Sequence, residues 1–504
     1  MRRVLRLVLV LQWALGSACS LDTFGRSEGE GGAPSVGTDM GSPPPGTGGS
    51  TGSPSGGAED TAACVPAWER CESPTDENCD TEGGCAGTVT APVVVLAGAL
   101  YPTAVAASAG RLYLSGRATS IAYSGGALIP PDDDGLNEGF VVSLPRSGSE
   151  PVYGHKVEQD DTMLDETAVD VMLAPNGDVF ALIVASQGPD RVLHLSPELQ
   201  PVASRSFEAK FSAAHAVLAD PGQPFPMFVM GSCEPQMLCV AVLDATSLSV
   251  PSYKELDENP SFLASAAMAM SSQGVLYIAG SWYQTGAFIR ALSQDTLAVL
   301  GAHDIVAADA QQTYLLPTIA WDDVSQSLLV AGVVSGSGVV GLTADSADSA
   351  SCPLGMACPE QGDFFIARYA SLGASAAVAL RSTPSLAGDE KEISSIAMDG
   401  AGNVLVTGRS AGTLDFGTLN LRGSTPTDSQ MFALKLTGDE LAPIWGYPGV
   451  SSGFSTGIAA SAGVEGYVLS VDLLPTTLPF ELGGFTQSLC PDYGCTNLLV
   501  LLGP

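Results

Sequence analysis

The chain is poor in basic residues and in charge of any kind. Its 504 residues include 20 Lys and Arg against 54 Asp and Glu, and only 15% are charged. The formal net charge of −34 excludes binding to nucleic acid or docking on an anionic membrane, since both need a basic surface. Lys and Glu are too rare for long solvated helices or coiled coils, whereas 58 Gly and 34 Pro indicate turn-rich β structure.

Residues 1–18 have the pattern of a secretory signal. Three arginines in the first six residues precede an apolar run over 7–15, which is too short to span a bilayer. The following Gly16-Ser17-Ala18-Cys19 resembles a bacterial lipobox, which implies that Cys19 is lipidated; ordinary signal-peptidase cleavage after Ala18 is the alternative. Either route predicts export. Lipidation predicts a lipoprotein of the outer membrane or cell surface that touches the membrane only through its anchor.

The segment 19–62 is predicted to be a tether behind the lipidated cysteine. Between Gly25 and Ala58 nearly every residue is Gly, Ser, Pro or Thr, and such a composition cannot bury enough apolar surface to fold. A coil of this length reaches roughly 30–35 Å. We expect a small Cys-rich segment at 63–87 and one folded domain at 88–504.

Ten of the 11 cysteines fall into local groups, which predicts disulfides in an exported chain. The groups are a cluster of four and three short pairs, namely Cys64, Cys71, Cys79 and Cys85, then Cys233 and Cys239, Cys352 and Cys358, and Cys490 and Cys495. Zinc binding by the cluster is the alternative, but its spacings are wide for structural zinc and it contains no His. The connectivity within the cluster stays open.

Beyond residue 88, a pattern of strands repeats seven times. Its marker is an apolar strand that ends in most copies with a small residue or Gly: Leu112–Gly116, Phe180–Val184, Met227–Gly231, Leu276–Gly280, Leu328–Gly332, Val404–Gly408 and Tyr467–Val471. A short strand and a tight turn precede each marker. An alternating third strand follows at Phe140–Leu144, Arg191–Leu195, Val240–Asp244, Phe288–Leu292, Phe364–Tyr369, Met431–Leu436 and Asn497–Leu502, usually with a short fourth strand after it.

This repeat predicts an all-β fold, a seven-bladed β-propeller of four-stranded antiparallel blades. The last unit stops at Pro504 directly after its third strand, while a spare strand, Ala91–Ala97, precedes the first unit. We therefore expect this N-terminal strand to complete the last blade and close the ring.

One blade resembles a known family. The stretches Asp399–Gly408, Gly412–Gly417 and Phe432–Leu436 are similar to the SBBP-type β-propeller repeat of bacterial surface proteins. The resemblance implies a propeller fold and a surface or envelope location, and it supplies no catalytic residues.

No catalytic residue is assigned. The stretch 408–412 matches G-x-S-x-G, but no helical pattern follows it, as a nucleophile elbow requires. The four histidines, His155, His194, His215 and His303, are scattered through different strand or loop contexts.

The lengthened loops, predicted at one face of the ring, are the candidate binding site, because long loops on a rigid scaffold commonly carry function. Acidic residues gather in these loops and in the connections between blades: Asp132, Asp133, Asp134, Glu138, Asp160, Asp161, Asp165, Glu166, Asp257, Glu258, Asp389 and Glu390. Calcium is the only cofactor considered, at Asp132, Asp134, Asn137 and Glu138, which lack the full alternation of a calcium-binding loop.

The preferred hypothesis is a monomeric, exported and lipid-anchored propeller that binds or scaffolds a protein or glycan partner at the envelope without enzymatic activity. The alternatives are a hydrolase or lyase that acts on envelope or extracellular polysaccharide through paired carboxylates, and a calcium-dependent adhesin.

Overall fold

A computed structural model describes the chain between Val94 and Leu502, all of it in the unit Ala63–Pro504. The residues within that span that it does not describe are 98–99, 109, 124–125, 131–137, 147–150, 158–165, 175, 186–188, 208–214, 219–225, 234–236, 245, 251, 257–262, 283–285, 308–317, 335–338, 341–362, 373–377, 382–390, 400–401, 411–412, 416–419, 423–429, 449–454, 462–466, 474–479, 483–484 and 488–495.

Regular structure in the described residues is entirely β. No helix there is long and apolar enough to cross a bilayer. The strands, in chain order, are β1 (Val94–Ala97), β2 (Leu100–Ala107), β3 (Arg111–Ala118), β4 (Ile121–Tyr123), β5 (Gly126–Ile129), β6 (Glu138–Pro145), β7 (Tyr153–Lys156), β8 (Glu166–Leu173), β9 (Val179–Ala185), β10 (Arg191–Leu195), β11 (Pro201–Ser206), β12 (His215–Leu218), β13 (Pro226–Cys233), β14 (Met237–Asp244), β15 (Ser252–Leu256), β16 (Leu263–Met270), β17 (Val275–Trp282), β18 (Gly286–Ser293), β19 (Val299–Ala307), β20 (Thr318–Asp322), β21 (Ser327–Val334), β22 (Val339–Val340), β23 (Asp363–Tyr369), β24 (Val378–Arg381), β25 (Lys391–Met398), β26 (Val404–Ser410), β27 (Thr413–Asp415), β28 (Asn420–Arg422), β29 (Gln430–Leu436), β30 (Pro443–Pro448), β31 (Ser455–Ser461), β32 (Tyr467–Leu473), β33 (Phe480–Leu482), β34 (Phe485–Gln487) and β35 (Thr496–Leu502).

Six blades of antiparallel strands confirm the β-propeller prediction. Blade 1 is β2-β3-β6-β7, blade 2 is β8-β9-β10-β11, blade 3 is β12-β13-β14-β15, blade 4 is β16-β17-β18-β19, blade 5 is β20-β21-β23-β24 and blade 6 is β25-β26-β29-β30. The short strand β22 adds a fifth strand to blade 4. The second and third strands of these blades contain the segments that the sequence predicts for them.

A further sheet has six strands in the order β31-β32-β35-β1-β4-β5. Strand β1, the first strand of the described chain, lies between the last strand, β35, and β4. It pairs with β35 from Val94 opposite Leu499 to Ala97 opposite Thr496, and on its other side Leu96 lies opposite Tyr123 of β4.

The core lies between the sheets, because each blade is apolar on both faces and packs against its neighbours. Phe228 of blade 3 and Phe288 of blade 4, for example, belong to one buried cluster. First strands contact one another from blade to blade, such as β12 with β16, and β31 contacts both β25 and β2.

The glycine that ends many of the predicted second strands has a steric reason. The first strand bulges at Pro102/Ala104 in blade 1 and at Ile393/Ser395 in blade 6. A Cβ on Gly116 would collide with the Tyr101 carbonyl oxygen, and a Cβ on Gly408 would collide with the carbonyl of Glu392. The marker is glycine at these two positions because the neighbouring backbone comes too close for a side chain.

The long loops between second and third strands contain structure of their own, which the sequence pattern does not predict. Strands β4 and β5 form a hairpin within the loop of blade 1, and β27 and β28 form one within the loop of blade 6. The first hairpin reaches the six-stranded sheet through the pairing of β4 with β1. The long loop of blade 1 therefore joins two sheets.

The turns between third and fourth strands contain an unexpected repeat. In four blades a buried leucine occupies the left-handed region, at φ values of 52–60°, and the four are Leu199, Leu248, Leu297 and Leu441. The left-handed conformation is unfavourable for a residue with a Cβ. Burial of the leucine side chain offsets that cost. In these four blades the turn leucine therefore packs into the hydrophobic core at the end of the blade.

Replacement of Leu441 by Ala is expected to lower the free energy of unfolding by about 2–4 kcal/mol, because the truncation leaves a cavity in the core of blade 6. Denaturant titration of the full chain measures this loss. Ala at the exposed neighbour Glu440 is the matched control and should change stability by less than about 0.5 kcal/mol. Equal stability of the two variants would contradict a packing role for Leu441.

Candidate functional site

The long-loop face is the end of the blades where second strands pass to third strands and one blade connects to the next. Of its predicted acidic residues, the structure describes two, Glu138 and Glu166. The others lie outside the described residues, namely Asp132, Asp133, Asp134, Asp160, Asp161, Asp165, Asp257, Glu258, Asp389 and Glu390.

Both described carboxylates already have basic partners. Lys156 Nζ lies 2.5 Å from Glu138 Oε2 across the third and fourth strands of blade 1. In blade 2, Arg191 Nη2 donates to both oxygens of Glu166, at 3.1 and 2.9 Å, and the Glu166 side chain is buried. These two residues therefore fix strand ends at the long-loop face and are not open to a ligand.

A metal site is not found among the residues that the structure describes: no three His, Cys, Asp or Glu side chains there are grouped to hold an ion. Of the calcium candidates, Asp132, Asp134 and Asn137 lie outside the described residues, and Glu138 is paired with Lys156. The calcium site stays a prediction.

The G-x-S-x-G serine and the histidines are built into strands. Ser410 is buried at the end of β26, opposite Gln430, and no helix follows it within the described residues. The histidines belong to four different blades: His155 to blade 1, His194 to blade 2, His215 to blade 3 and His303 to blade 4. His194 bonds Asp178 at 2.8 Å and stacks on Phe180. This local contact ties the third strand of blade 2 to its first turn.

Buried ion pairs are the polar feature that the sequence analysis missed. In blade 5, Arg368 Nη1 lies 3.1 Å from Asp322 Oδ2, and the two side chains are only 6% and 3% exposed. The same nitrogen donates to the hydroxyl oxygens of Ser325 and Ser327. Asp322 follows Trp321 at the end of β20, and its carboxylate neutralises the buried guanidinium of Arg368.

A second buried pair lies where blade 6 meets the six-stranded sheet. Lys435 Nζ is 3.3 Å from Asp399 Oδ2, with both side chains almost fully buried. Asn403 donates to Asp399 from its backbone at 2.8 Å and from its amide at 3.1 Å. Tyr467 of β32 donates to the Asn403 carbonyl at 3.1 Å, and Lys435 lies over the Tyr467 ring at 5.6 Å. This group, the Asp399 cluster, couples two sheets.

The electrostatics of the Asp399 cluster depend on several opposing effects. Burial favours a raised pKa for Asp399, but the hydrogen bonds from Asn403 and the charge of Lys435 together lower the pKa below its ordinary value. Burial lowers the pKa of Lys435 despite the nearby carboxylate, and it raises that of Tyr467. The side chains of Asp399 and Lys435 are thus buried within the fold and are not accessible to a ligand.

The basic side chains in these blades share one position in the repeat. Each lies on the third strand, opposite an early residue of the second, in the pairs Leu329–Arg368, Leu405–Lys435 and Phe180–His194. A basic residue near the C-terminal end of a mostly apolar third strand was the signal available in the sequence. Its partner in each blade is an acidic residue that lies shortly before the second strand: Asp322, Asp399 or Asp178.

The architecture defines the class of the protein as a β-propeller. No family model and no curated protein matches the chain, so its resemblance to the SBBP-type repeat stays a prediction.

Similar solved structures include one described as the crystal structure of the mitotic checkpoint complex. It has a TM-score of 0.42 and 10% identity, over 82% of this chain and 95% of that chain. Another is the WD40 domain of SCAP from fission yeast, with a TM-score of 0.35 and 9% identity, over 80% of this chain and 96% of that chain. These likenesses say nothing about what the chain binds.

Proposed function

We propose that this protein is an exported, lipid-anchored β-propeller that binds or scaffolds a partner at the bacterial cell envelope without catalysing a reaction. The observation that carries the proposal is that two of the long loops contain hairpins, β4–β5 and β27–β28, that are anchored by buried side chains. The partner is a protein or a glycan, and the propeller acts as a monomer.

The anchoring rests on apolar side chains. Ile121 and Ile129 of the β4–β5 hairpin are buried in the same cluster as Leu96 and Leu100. Leu414 and Leu421 of the β27–β28 hairpin are likewise buried, against the core shared by blades 5 and 6. A hairpin fixed in this way loses little conformational entropy when it binds a partner. The loops are therefore suited to recognition.

The described acids of the long-loop face favour binding over catalysis. Glu138 and Glu166 each have a basic partner, so neither is proposed as the acid or base of the hydrolase or lyase alternative. The remaining predicted acids, Asp132 to Asp134 foremost, are proposed to contact the partner.

Export and anchoring form part of the same proposal. The signal over 1–18, the lipobox-like cysteine Cys19 and the Gly/Ser/Pro tether to residue 62 together support a lipoprotein held at a distance from the membrane. Local disulfides suit such an oxidising location. Cys239 is disulfide-bonded and lies opposite Gly231, two residues from Cys233 on the paired strand, which supports Cys233 as its partner.

We also infer that the six-stranded sheet is a seventh blade, closed by the N-terminal strand. Its core order β31-β32-β35-β1 repeats the four-stranded plan of the other blades, with β1 in the fourth position. Contacts of β31 with the first strands of blades 6 and 1 support a closed ring. Closure leaves the ring without an open end, which would otherwise be prone to aggregation.

Alanine at Asp132, Asp133, Asp134, Asp160, Asp161 and Asp165 is expected to abolish partner capture from envelope extracts by the purified full chain, because the substitutions remove half of the twelve acidic residues predicted at the long-loop face. Quantitative mass spectrometry of the captured material measures the effect. Alanine at the exposed Asp439 and Glu440, in a turn at the opposite end of blade 6, is the matched control and should leave capture unchanged.

Undiminished capture by the six-residue variant would remove the long-loop face as the site. Release of sugar fragments from envelope polysaccharide by the wild-type chain, lost in the same variant, would establish the hydrolase or lyase alternative instead.

A further inference from the structure

The described residues include exposed large aliphatic side chains at the other end of the blades. This end, the short-turn face, is where first strands turn into second strands and third strands into fourth strands. Among the side chains that the structure describes, five large hydrophobic ones are exposed: Val202 (58%), Val250 (36%), Val299 (51%), Leu300 (59%) and Val324 (69%). All five lie in or directly after these short turns. Within the described part of the chain, the exposed large aliphatic side chains thus lie on the short-turn face.

The five residues also follow one another around the ring. Val202 belongs to blade 2, Val250 to blade 3, Val299 and Leu300 to blade 4, and Val324 to blade 5. In blades 2, 3 and 4 they come two or three residues after the left-handed leucine of the turn. The same place in blade 6 is occupied by Pro443 and the half-buried Ile444. We call the five exposed residues the aliphatic arc.

Contacts between neighbouring blades lie beside several residues of the arc. Lys254 Nζ of blade 3 donates to the carbonyl of Leu297 in blade 4, two residues before Val299, at 2.5 Å. Gly301 of blade 4 packs so closely on blade 5 that a Cβ there would lie 3.2 Å from the Cβ of Leu372. Blades 3, 4 and 5 thus meet beside the arc, so a single partner segment can span them.

Acidic side chains share the turns with these aliphatic residues. Glu198 precedes Val202, Asp244 precedes Val250, Asp295 precedes Val299 and Asp323 precedes Val324. Asp244 accepts hydrogen bonds from Ser247, and these lower its pKa, so it is ionised at neutral pH. Within the described residues, none of the four carboxylates belongs to an ion pair. Each position of the arc thus combines an aliphatic side chain with a carboxylate that has no basic partner.

We propose that the aliphatic arc binds a protein segment in which aliphatic side chains alternate with Lys or Arg. A purely ionic ligand would leave the apolar side chains exposed to water, whereas a ligand with aliphatic side chains would bury them. The carboxylates repel an anionic lipid surface, and the net charge of −34 repels a second copy of this chain. Charge complementarity therefore selects a basic, aliphatic segment. This surface is separate from the long-loop face, and a scaffold with two binding faces can hold two partners.

The test uses the full chain and fluorescent synthetic peptides of about 18 residues, a length able to span neighbouring blades. The probe alternates Leu and Lys; a Ser/Lys peptide of equal charge and a Leu/Glu peptide are the controls. Fluorescence anisotropy at low salt is expected to give a Kd for the Leu/Lys peptide at least about tenfold lower than for the Ser/Lys peptide, with little binding of the Leu/Glu peptide.

The variant V202S/V299S/L300S is expected to weaken binding of the Leu/Lys peptide about tenfold and to leave binding of the Ser/Lys peptide unchanged. Because the three side chains are exposed, its melting temperature should match that of the wild type. I444S is the matched control at the same place in blade 6, outside the arc. E198Q/D295Q should weaken both Lys peptides and reduce the salt dependence of binding.

Equal affinity for the Leu/Lys and Ser/Lys peptides, or an unchanged Kd in the triple serine variant, would overturn the proposal. So would binding of phosphatidylglycerol vesicles that the serine variant loses, which would assign the arc to lipid. A wild-type dimer that the same variant dissociates in sedimentation would assign it to self-association. The loop-face alanine variant should bind the Leu/Lys peptide like the wild type, so failure of the proposed function and failure of this inference are distinguishable.

Discussion

Deletion of residues 88–97 is expected to destabilise the propeller by roughly 5 kcal/mol or more, the largest effect of any change considered. The deletion removes β1 and leaves the edges of β35 and β4 unpaired. It also removes Leu96, which is fully buried beside Leu100 and Ile121. Burial of that one side chain is worth about 2–5 kcal/mol. Thermal denaturation followed by circular dichroism and limited proteolysis of the full chain measures the loss.

Deletion of residues 25–58 is the matched control, because the sequence predicts that this segment contributes no core. Its melting temperature should equal that of the wild type. A chain without β1 could fail to fold at all, so L96A provides a milder version: it should lower stability by about 2–5 kcal/mol and increase cleavage near the six-stranded sheet. If both deletions were tolerated equally, β1 would not be part of the ring.

Strand positions were predictable from the sequence because a blade strand is buried on both faces over a short stretch. Val404–Gly408 shows the two signals that matter, a β-branched apolar run and a glycine at its end. The apolar run marks a second strand. The glycine marks the place where the bulge of the neighbouring first strand comes close, as the approach of the Glu392 carbonyl to Gly408 shows. The apolar run and the glycine are both visible in the local sequence, because burial and close backbone approach each constrain single positions of the strand.

Interactions between distant residues were not predictable in the same way. Asp322 and Arg368 are 46 residues apart, and no spacing rule joins them, although each is conspicuous within its own strand. The hairpins inside the long loops were missed because their strands are only three or four residues long. The aliphatic arc was missed for another reason: Val202 and Val299 resemble core residues until the structure shows that they are exposed.

The location of the acidic residues shows a similar limit. The sequence places much of the acid at the long-loop face, and that expectation rests mostly on residues outside the described ones. The short-turn face proves to be acidic as well, with Glu198, Asp295 and Asp323 all exposed in its turns. Short turns and long loops alternate along the chain, so acidic residues of the two faces alternate in the sequence as well. A count of charge along the chain therefore does not assign the acidic residues to one face.

Replacement of Asp399 by Ala is expected to lower the free energy of unfolding by roughly 3–5 kcal/mol, because it leaves the ammonium of Lys435 buried without a counterion. The double variant D399A/K435M should recover much of that loss, since it buries no charge. Denaturant titration of wild type, both single variants and the double variant gives the coupling energy between the two side chains. Additive losses would show that the pair contributes no coupling and that each residue acts through separate contacts.

The pH dependence of stability provides an independent readout of the Asp399 cluster. The pKa of Asp399 in the folded protein lies below its ordinary value, to which the unfolded chain returns at about 3.9. The unfolded state therefore binds the proton more readily, and the stabilisation from Asp399 is complete above that pH and lost as the pH falls through the lower folded value. Between pH 6 and pH 3, the wild type should lose more stability than D399N, whose side chain does not titrate. Parallel pH profiles of the two proteins would contradict a depressed pKa at Asp399.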